Sequence, residues 1–402
     1  MSLTAFTHIE EELNQTEVDN GSIVLSSFEV LLVKIKVMTR IFYLGFQLTG
    51  NPIRAVKLIT ACRSKFQKTF GNKLLTKLAK IENKYYYRLG TPAFPSLAWD
   101  QLLTNELSRF LPERTSYGLR TLLFAITKKC TLSCEHCFEW PNMNQHENLS
   151  EQDINQIVEN FQDIGTTQIM FSGGEPMLRI NDIFKVLEKA ETGTDFWIIT
   201  SGLGLDLQKA MKLKKAGLRG VMVSLDHHIP KEHDKFRGYE NAFEMALNAV
   251  EVAKKAGLTT ALALCATKSF LDRDEFPDYM KLAKKMGVVF VQVTEPRSSG
   301  RYAGKDVMLN SSQIEKLNHY FLDYNSNEIL REFPIINYLG YHQRITGCFG
   351  AGNRFFYIDT DGDAHVCPYC IHKVCNVLEN SAEGTLNKLS QSQCFEYEKS
   401  TI

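Results

Sequence analysis

Between residues 117 and 300 the chain alternates short apolar runs with longer amphipathic stretches. The runs are Leu122–Ile126, Gln168–Phe171, Phe196–Thr200, Gly220–Ser224, Thr259–Ala266 and Val288–Val293. Between them lie Asp153–Ile164, Ile183–Ala190, Leu207–Ala216, Asn241–Ala256 and Glu275–Met286, with apolar residues at helical spacing. This order predicts repeated βα units, hence parallel strands joined by right-handed crossovers. In a barrel of such units the reactive side chains stand at the carboxyl ends of the strands. Cys130, Gly173, Ser201, Ser224 and Glu295 all fall at or just after the ends of apolar runs. A further helix is predicted over Leu309–Phe321.

The N-terminal part is patterned differently. Residues 1–20 are acidic and polar and read as a loose arm. Ile23–Leu48 is rich in apolar and aromatic residues but interrupted by Glu29, Lys34, Lys36 and Arg40. Its longest uncharged window, Ile41–Ile53, has 13 residues. A membrane span needs about 20, so none is predicted. Pro52 breaks the pattern, and a second, basic amphipathic helix is predicted from Arg54 to Lys84.

At 402 residues the chain exceeds one ordinary core, so two or three units are expected. Residues 30–90 carry thirteen Lys and Arg against Glu82 alone, a net of +12 in a chain of formal charge zero. Such asymmetry points to an anionic partner. A basic helix with Leu and Phe on its other face can lie in a membrane interface, and it can equally be a hairpin packed on the rest of the molecule. No recognised nucleic-acid module accompanies the charge, so no nucleic acid is expected. There are ten cysteines, and Glu10, Glu11 and Glu12 leave no room for a secretory signal. Eight of the ten fall into two clusters with metal-like spacing, which suits a reducing cytoplasm. Cys62 and Cys265 stand alone and read as buried small hydrophobes.

The first cluster is Cys130, Cys134 and Cys137, at C-x3-C-x2-C directly after an apolar run. Three thiols on one curled loop converge on one point. A cluster held by three thiolates keeps one iron open, the mark of a catalytic site. The competing reading is zinc, with His136 as a fourth ligand. Gly173-Gly174-Glu175-Pro176 follows another apolar run: paired glycines permit close backbone approach, and a carboxylate can hold an ammonium. Next come Ser224-Leu225-Asp226 and His233-Asp234-Lys235-Phe236-Arg237-Gly238.

Together these motifs resemble the radical S-adenosylmethionine (SAM) superfamily, over roughly residues 117–395. His136 takes the aromatic position of that family's C-x3-C-x-aromatic-C loop. The resemblance implies a 4Fe–4S cluster on Cys130, Cys134 and Cys137, with SAM on its open iron. It implies that Gly173, Gly174, Glu175 and Pro176 receive the methionine end, and that Ser224 and Asp226 contact the ribose or line the pocket. Thr200-Ser201-Gly202 sits where the peptide- and heme-modifying branch has Thr-Asn-Gly, so Ser201 is a departure there. Glu295–Arg301 resembles that branch's sixth strand ending. The fold implied is α/β: a partial (β/α)6 TIM-like barrel over residues 116–305. A helical N-terminal region (1–115) and a small C-terminal Cys-rich β-hairpin domain (306–402) flank it.

The second cluster comprises Cys348, Cys367, Cys370, Cys375 and Cys394. Cys348, Gly362 and Cys367 resemble the opening of the SPASM/twitch extension found on many radical SAM enzymes. Asp359-Thr360-Asp361-Gly362 reads as a tight turn that brings Cys348 and Cys367 together. Five candidates compete for four places in a probable second, auxiliary 4Fe–4S cluster, with structural zinc as the alternative. Cys367-Pro368-Tyr369-Cys370 also reads like a redox dithiol, but that needs a βαβ unit around it.

The resemblance implies an enzyme that cleaves SAM reductively and uses the 5′-deoxyadenosyl radical to take hydrogen from a substrate. Electrons would come from a donor such as flavodoxin or ferredoxin. A peptide or protein is the expected substrate, although residues 1–115 show no winged-helix pattern to grip a leader. The alternatives are a lipid or membrane-associated small molecule, which would put the enzyme on the membrane's cytoplasmic face, and a non-catalytic iron–sulfur or zinc scaffold.

Overall fold

The structure, a computed structural model, describes residues 23–24, 27–70, 77–113, 118–370 and 372–392. The acidic arm over residues 1–20 and Cys394 lie outside them.

The N-terminal region is only partly helical. β1 (Ile23–Val24), β2 (Ala79–Ile81) and β3 (Lys84–Tyr86) form an antiparallel sheet in that order. Helices α1 (Ser27–Thr49) and α2 (Pro52–Phe70) form a hairpin between β1 and β2, and α3 (Leu97–Ser108) follows β3. The helix expected over Arg54–Lys84 therefore ends at Phe70. From Leu78 the chain carries Tyr85, Tyr86 and Tyr87, residues that favour a pleated, half-buried surface over a helix. Glu82, at φ 54°, makes the turn between β2 and β3.

The six expected strands form, and at nearly the expected places: β4 (Thr121–Ala125), β5 (Gln168–Ser172), β6 (Asp195–Thr200), β7 (Leu218–Ser224), β8 (Thr259–Cys265) and β9 (Phe290–Thr294). They pair in parallel in that order. The helices between and after them are α4 (Glu151–Asp163), α5 (Ile180–Lys189), α6 (Leu207–Ala216), α7 (Pro230–Arg237), α8 (Ala242–Lys255), α9 (Lys268–Asp272), α10 (Phe276–Lys285) and α11 (Ser311–Ser326). The fold is a partial (β/α)6 TIM-like barrel, extended at both edges by the C-terminal residues. β10 (Ile335–Tyr338) pairs in parallel with β9, and β11 (Phe355–Ile358) in parallel with β4. α12 (Leu339–Thr346) lies between β10 and β11 in the chain. β12 (Asp363–His365) and β13 (Cys375–Asn376) continue antiparallel from β11, and α13 (Ala382–Ser390) follows. The expected hairpin turn is present: Gly362, at φ 79°, donates its N–H to the Asp359 carbonyl at 3.1 Å.

Strand alternation sorts the barrel into two layers. Leu122, Phe124, Ile169 and Phe171 point out and are fully buried under the helices. Thr121, Leu123, Gln168, Met170 and Ser172 point in and line a cavity of about 480 Å³. At the amino ends of the strands an inner cluster closes the barrel. Here Tyr86, Leu89 and Ala93 pack on Met170, Trp197, Met222 and Phe290. The Tyr86 ring meets Phe290 edge-on at 6.1 Å, and Thr259 Oγ1 bonds the Tyr86 hydroxyl at 3.1 Å.

Candidate active site

The cysteine loop leaves β4 at its carboxyl end and is held from three sides. Asn144 accepts the Cys130 N–H at 3.1 Å and donates to the Cys130 carbonyl at 2.9 Å. Ser133 and Glu135 donate their N–H groups to the Arg237 and Phe236 carbonyls, at 3.1 and 2.9 Å. Arg301 stacks on Trp140 at 3.8 Å, donates its backbone N–H to the Cys137 carbonyl at 3.0 Å, and sends its guanidinium to the Ser133 and Cys134 carbonyls. Cys130, Cys134 and Cys137 all line the cavity. Burial pushes the Cys130 thiol up to about 11 and Cys137 to about 12, so a metal must displace their protons to bind. The half-buried His136 ring stacks on Phe236 at 4.7 Å, and desolvation lowers its pKa to about 4.

The two glycines after β5 let one loop lie directly on the other. A methyl group on Gly173 would sit 2.6 Å from the Thr127 carbonyl oxygen, and one on Gly174 would sit 2.2 Å from that of Lys129. Gly174 and Glu175 donate their N–H groups to those same carbonyls, at 2.7 and 2.8 Å. The close approach is thus between backbones, in addition to any approach to a ligand. Pro176 is buried and opens a short 3-10 turn. Glu175 is 1% exposed and its carboxylate accepts four bonds. They come from Met177 N (3.1 Å), Thr200 Oγ1 (2.6 Å), Ser201 N (2.8 Å) and Ser201 Oγ (2.5 Å). Burial raises its pKa, opposed by these donors. Ser201, the departure from asparagine, is therefore a bracing partner of Glu175.

Ser224 ends β7 and lines the cavity. Asp226 lines it too, but both carboxylate oxygens face protein. Oδ2 pairs with Arg237 at 2.5 Å and Oδ1 accepts the Cys265 N–H at 2.9 Å. The Asp226 N–H in turn donates to His233 Nδ1 at 3.0 Å. Arg237 also reaches Cys134 Sγ at 3.6 Å, so it links the Ser-x-Asp strand to the cysteine loop. Gly238, at φ 59°, lets the end of α7 touch Ser133, where a methyl group would meet the carbonyl oxygen at 2.7 Å.

The second cluster divides. Cys348, Cys367 and Cys370 line the same cavity as the first. Cys348 Sγ accepts from Gly350 N at 3.3 Å and Gln343 Nε2 at 3.6 Å. Cys367 and Cys370 stand with sulfurs 3.3 Å apart, and the Cys370 thiol lowers the Cys367 pKa to about 7. Cys375 is on β13 opposite Ala364 and packs in the outer core. The Cys367–Cys370 turn joins antiparallel strands and not a βαβ unit, which removes the structural ground for a redox dithiol. Phe138 lies edge-on to both Tyr357 (5.6 Å) and Tyr369 (5.9 Å), so one ring bridges the two cysteine loops.

Several cavity residues carry no local sequence signal. Cys265 is buried, as expected of a small hydrophobe, yet lines the site. Glu139 accepts the Tyr357 hydroxyl. Glu295, which the motif did mark, accepts from Tyr338 Oη at 2.6 Å and from Arg344 Nη2 at 2.7 Å.

Comparison with known proteins agrees with this geometry. The sequence profile of the Radical SAM superfamily matches residues 124–286. An AdoMet-dependent heme synthase of Nitratidesulfovibrio vulgaris is 26% identical over 223 residues, 52% of this chain and 60% of that one. The mycofactocin maturase MftC of Mycolicibacterium smegmatis is 27% identical, over 68% of this chain and 71% of that one. Among solved structures, Streptococcus suis SuiB bound to its precursor peptide SuiA superposes with a TM-score of 0.56, at 16% identity. That match covers 72% of this chain and 68% of SuiB. Strands β5 to β8, the three-thiol loop after β4 and the glycine–glutamate turn after β5 thus fall within the segment, residues 124–286, that matches the Radical SAM superfamily, and the chain spans 60% of the length of the first of these relatives.

Proposed function

We propose that this enzyme modifies a peptide or protein by radical hydrogen abstraction, in a chamber shared by a SAM-binding 4Fe–4S cluster and an auxiliary one. The observation that carries the reading is that six cysteines from two distant parts of the chain line one cavity. Cys130, Cys134 and Cys137 fit a three-thiolate cluster, and Cys348, Cys367 and Cys370 fit three ligands of a second. Cys375 or Cys394 is the candidate fourth. Held by these residues, a 4Fe–4S cluster with SAM would supply radical hydrogen-abstraction chemistry, and an auxiliary cluster would supply an electron acceptor for an oxidation.

The chain's own residues position and exclude. Gly173 and Gly174 hold the SAM turn against the cysteine loop. Glu175 would receive the methionine ammonium, and because its acceptor sites are filled by protein donors, the Ser201 hydroxyl would have to rotate away for it. Ser224 is offered to the ribose, whereas Asp226 acts as a positioning residue through Arg237. A small reductant such as flavodoxin or ferredoxin supplies electrons. The two relatives named maturase and heme synthase, and the precursor peptide in the SuiB structure, support a substrate larger than a simple metabolite.

One observation favours a second reading, a lipid or membrane-linked substrate. α1 exposes Phe28 (68%), Leu31 (53%) and Ile35 (55%), followed along the same stripe by Met38, Phe42 and Phe46. Lys34 and Lys36 flank that stripe on the helix surface, which suits an anionic interface at the cytoplasmic membrane face. Among the described residues no helix is long and apolar enough to cross a membrane.

Anaerobic reconstitution tests the main reading: about eight irons per chain are expected, and about four would leave the C-terminal site without a cluster. Co-sedimentation with phosphatidylserine vesicles tests the second, and absence of binding at low salt would remove it.

A further inference from the structure

The cavity runs the length of the barrel, and its far end is built from arginines. Cys130, Cys134, Cys137, Gly173, Ser201 and Ser224 stand at the carboxyl ends of the strands, whereas Cys348 precedes β11 and its neighbour Phe349 accepts the Arg354 N–H at 3.0 Å. Arg120 precedes Thr121, the first residue of β4, and Arg354 precedes Phe355, the first residue of β11. The Arg354 carbonyl accepts the Arg120 and Thr121 N–H groups, at 3.2 and 3.0 Å, which fixes the two side by side. Arg88 follows the β2–β3 hairpin that closes this end. β4 separates the two poles by about 13 Å. All three arginines line the cavity.

Among the described residues, Glu106 is set against Arg120 and Arg354. Arg120 Nη2 lies 3.2 Å and Arg354 Nη2 3.8 Å from its oxygens. Burial lowers the Arg88 and Arg120 pKa values to about 10, with Arg354 adding to the effect, so both stay charged at neutral pH. The same two neighbours, Arg88 and Arg354, add to burial in holding His342 neutral, at about 3. Arg120 Nε is buried and has no hydrogen-bond partner among the described residues. The other cavity carboxylates are engaged elsewhere: Glu139 with Tyr357, Glu175 with Ser201, Asp226 with Arg237, Glu295 with Arg344. Buried charge is costly unless opposed, and a planar guanidinium is shaped to take a carboxylate or phosphate through two parallel bonds.

We infer that this pole binds an oxyanion, so that the substrate carries a carboxylate or phosphate about one strand length from the carbon that reacts. The inference rests on reading the cavity as the substrate chamber. It specifies which end of the substrate is anchored: the anionic group sits at the arginine pole and the reacting C–H at the pole of the Cys130–Cys137 loop.

The test uses the full-length reconstituted enzyme without turnover, so it does not depend on radical chemistry. Pyrophosphate and citrate are titrated separately at low ionic strength by calorimetry, with iron content measured on each sample. Saturable binding of either probe is expected, and which one binds tighter tells phosphate from carboxylate. Arg120→Gln and Arg88→Gln should each weaken it about tenfold or more. Arg88→Lys, which keeps the charge, should retain part of the affinity and controls for folding. Absence of saturable binding, or variants that bind like the parent, overturns the proposal. So does weakened binding that appears only together with lost iron, since the arginines would then serve to neutralise the auxiliary cluster. SAM cleavage that fails while anion binding holds would break the radical reading and leave this site intact.

Discussion

The two cysteine loops differ in how they are held. The first is a single stretch of eight residues, Cys130–Cys137, gripped by Asn144, Arg237, Arg301 and the Gly173–Glu175 turn. The second gathers Cys348, Cys367 and Cys370 across 23 residues, through the β11–β12 hairpin that separates them. One is fixed by local spacing, the other by strand register. Local spacing can be read from a sequence; register depends on which strands pair.

Predictions follow from that contrast, in order of expected size. Replacing Cys130, Cys134 and Cys137 together with Ala should abolish SAM cleavage, measured as 5′-deoxyadenosine formed; cleavage at the parent rate would refute the assignment of the loop. Gly174→Ala pushes a methyl into the Lys129 carbonyl, so the loop must move. Iron bound at the first site should fall severalfold, while Gly204→Ala, at an open surface position, should leave iron unchanged. Arg237→Gln strands the buried Asp226 carboxylate; a loss of about 3–5 kcal/mol in unfolding free energy is expected. Asp226→Asn combined with Arg237→Gln should recover part of it. At the second loop, Cys348→Ala, Cys367→Ala and Cys370→Ala should each cost more auxiliary-site iron than Cys375→Ala, because Cys375 packs in the outer core. Equal losses in all four variants would show that β13 turns toward the cavity when metal binds.

The smallest expected effect is a pH dependence at the first loop's support. Burial depresses the His233 pKa to about 4, and the neutral ring accepts the Asp226 N–H. The unfolded chain, with His near 6.5, binds the proton more readily. Stability contributed by His233 is therefore full above about pH 6.5 and falls as pH drops toward 4. His233→Asn should flatten that limb in melting curves recorded from pH 7 to 4.5.

Much of the barrel was legible because each strand is apolar and bounded by helix-period stretches. β10 and β11 were not, since four-residue strands such as Ile335–Tyr338 carry too few positions for a pattern. The helix expected to Lys84 was overextended because Leu74, Leu75 and Lys77 keep an amphipathic spacing, while the pairing of Ala79–Ile81 with both neighbours is a tertiary matter. At the site, motif positions were legible but not their partners. Nothing at Ser201 announces a bond to Glu175, and Arg88, Arg120 and Arg354 lie 266 residues apart end to end, joined only by the fold.

The Tyr86 hairpin gives the N-terminal region a meaning beyond surface attachment. Its residues stop the lower mouth of the barrel, and Leu89 and Gly90 form part of the chamber wall. On the proposed reading, a carbon radical survives only where dioxygen and stray donors of weakly held hydrogen are kept out. A protein shortened to begin after residue 116 would thus be a barrel without a stopper, its chamber open at the amino ends of the strands even with every cysteine in place. Because β1 and β2 are the two feet of the α1–α2 hairpin, any surface that grips those helices also has a hand on the stopper.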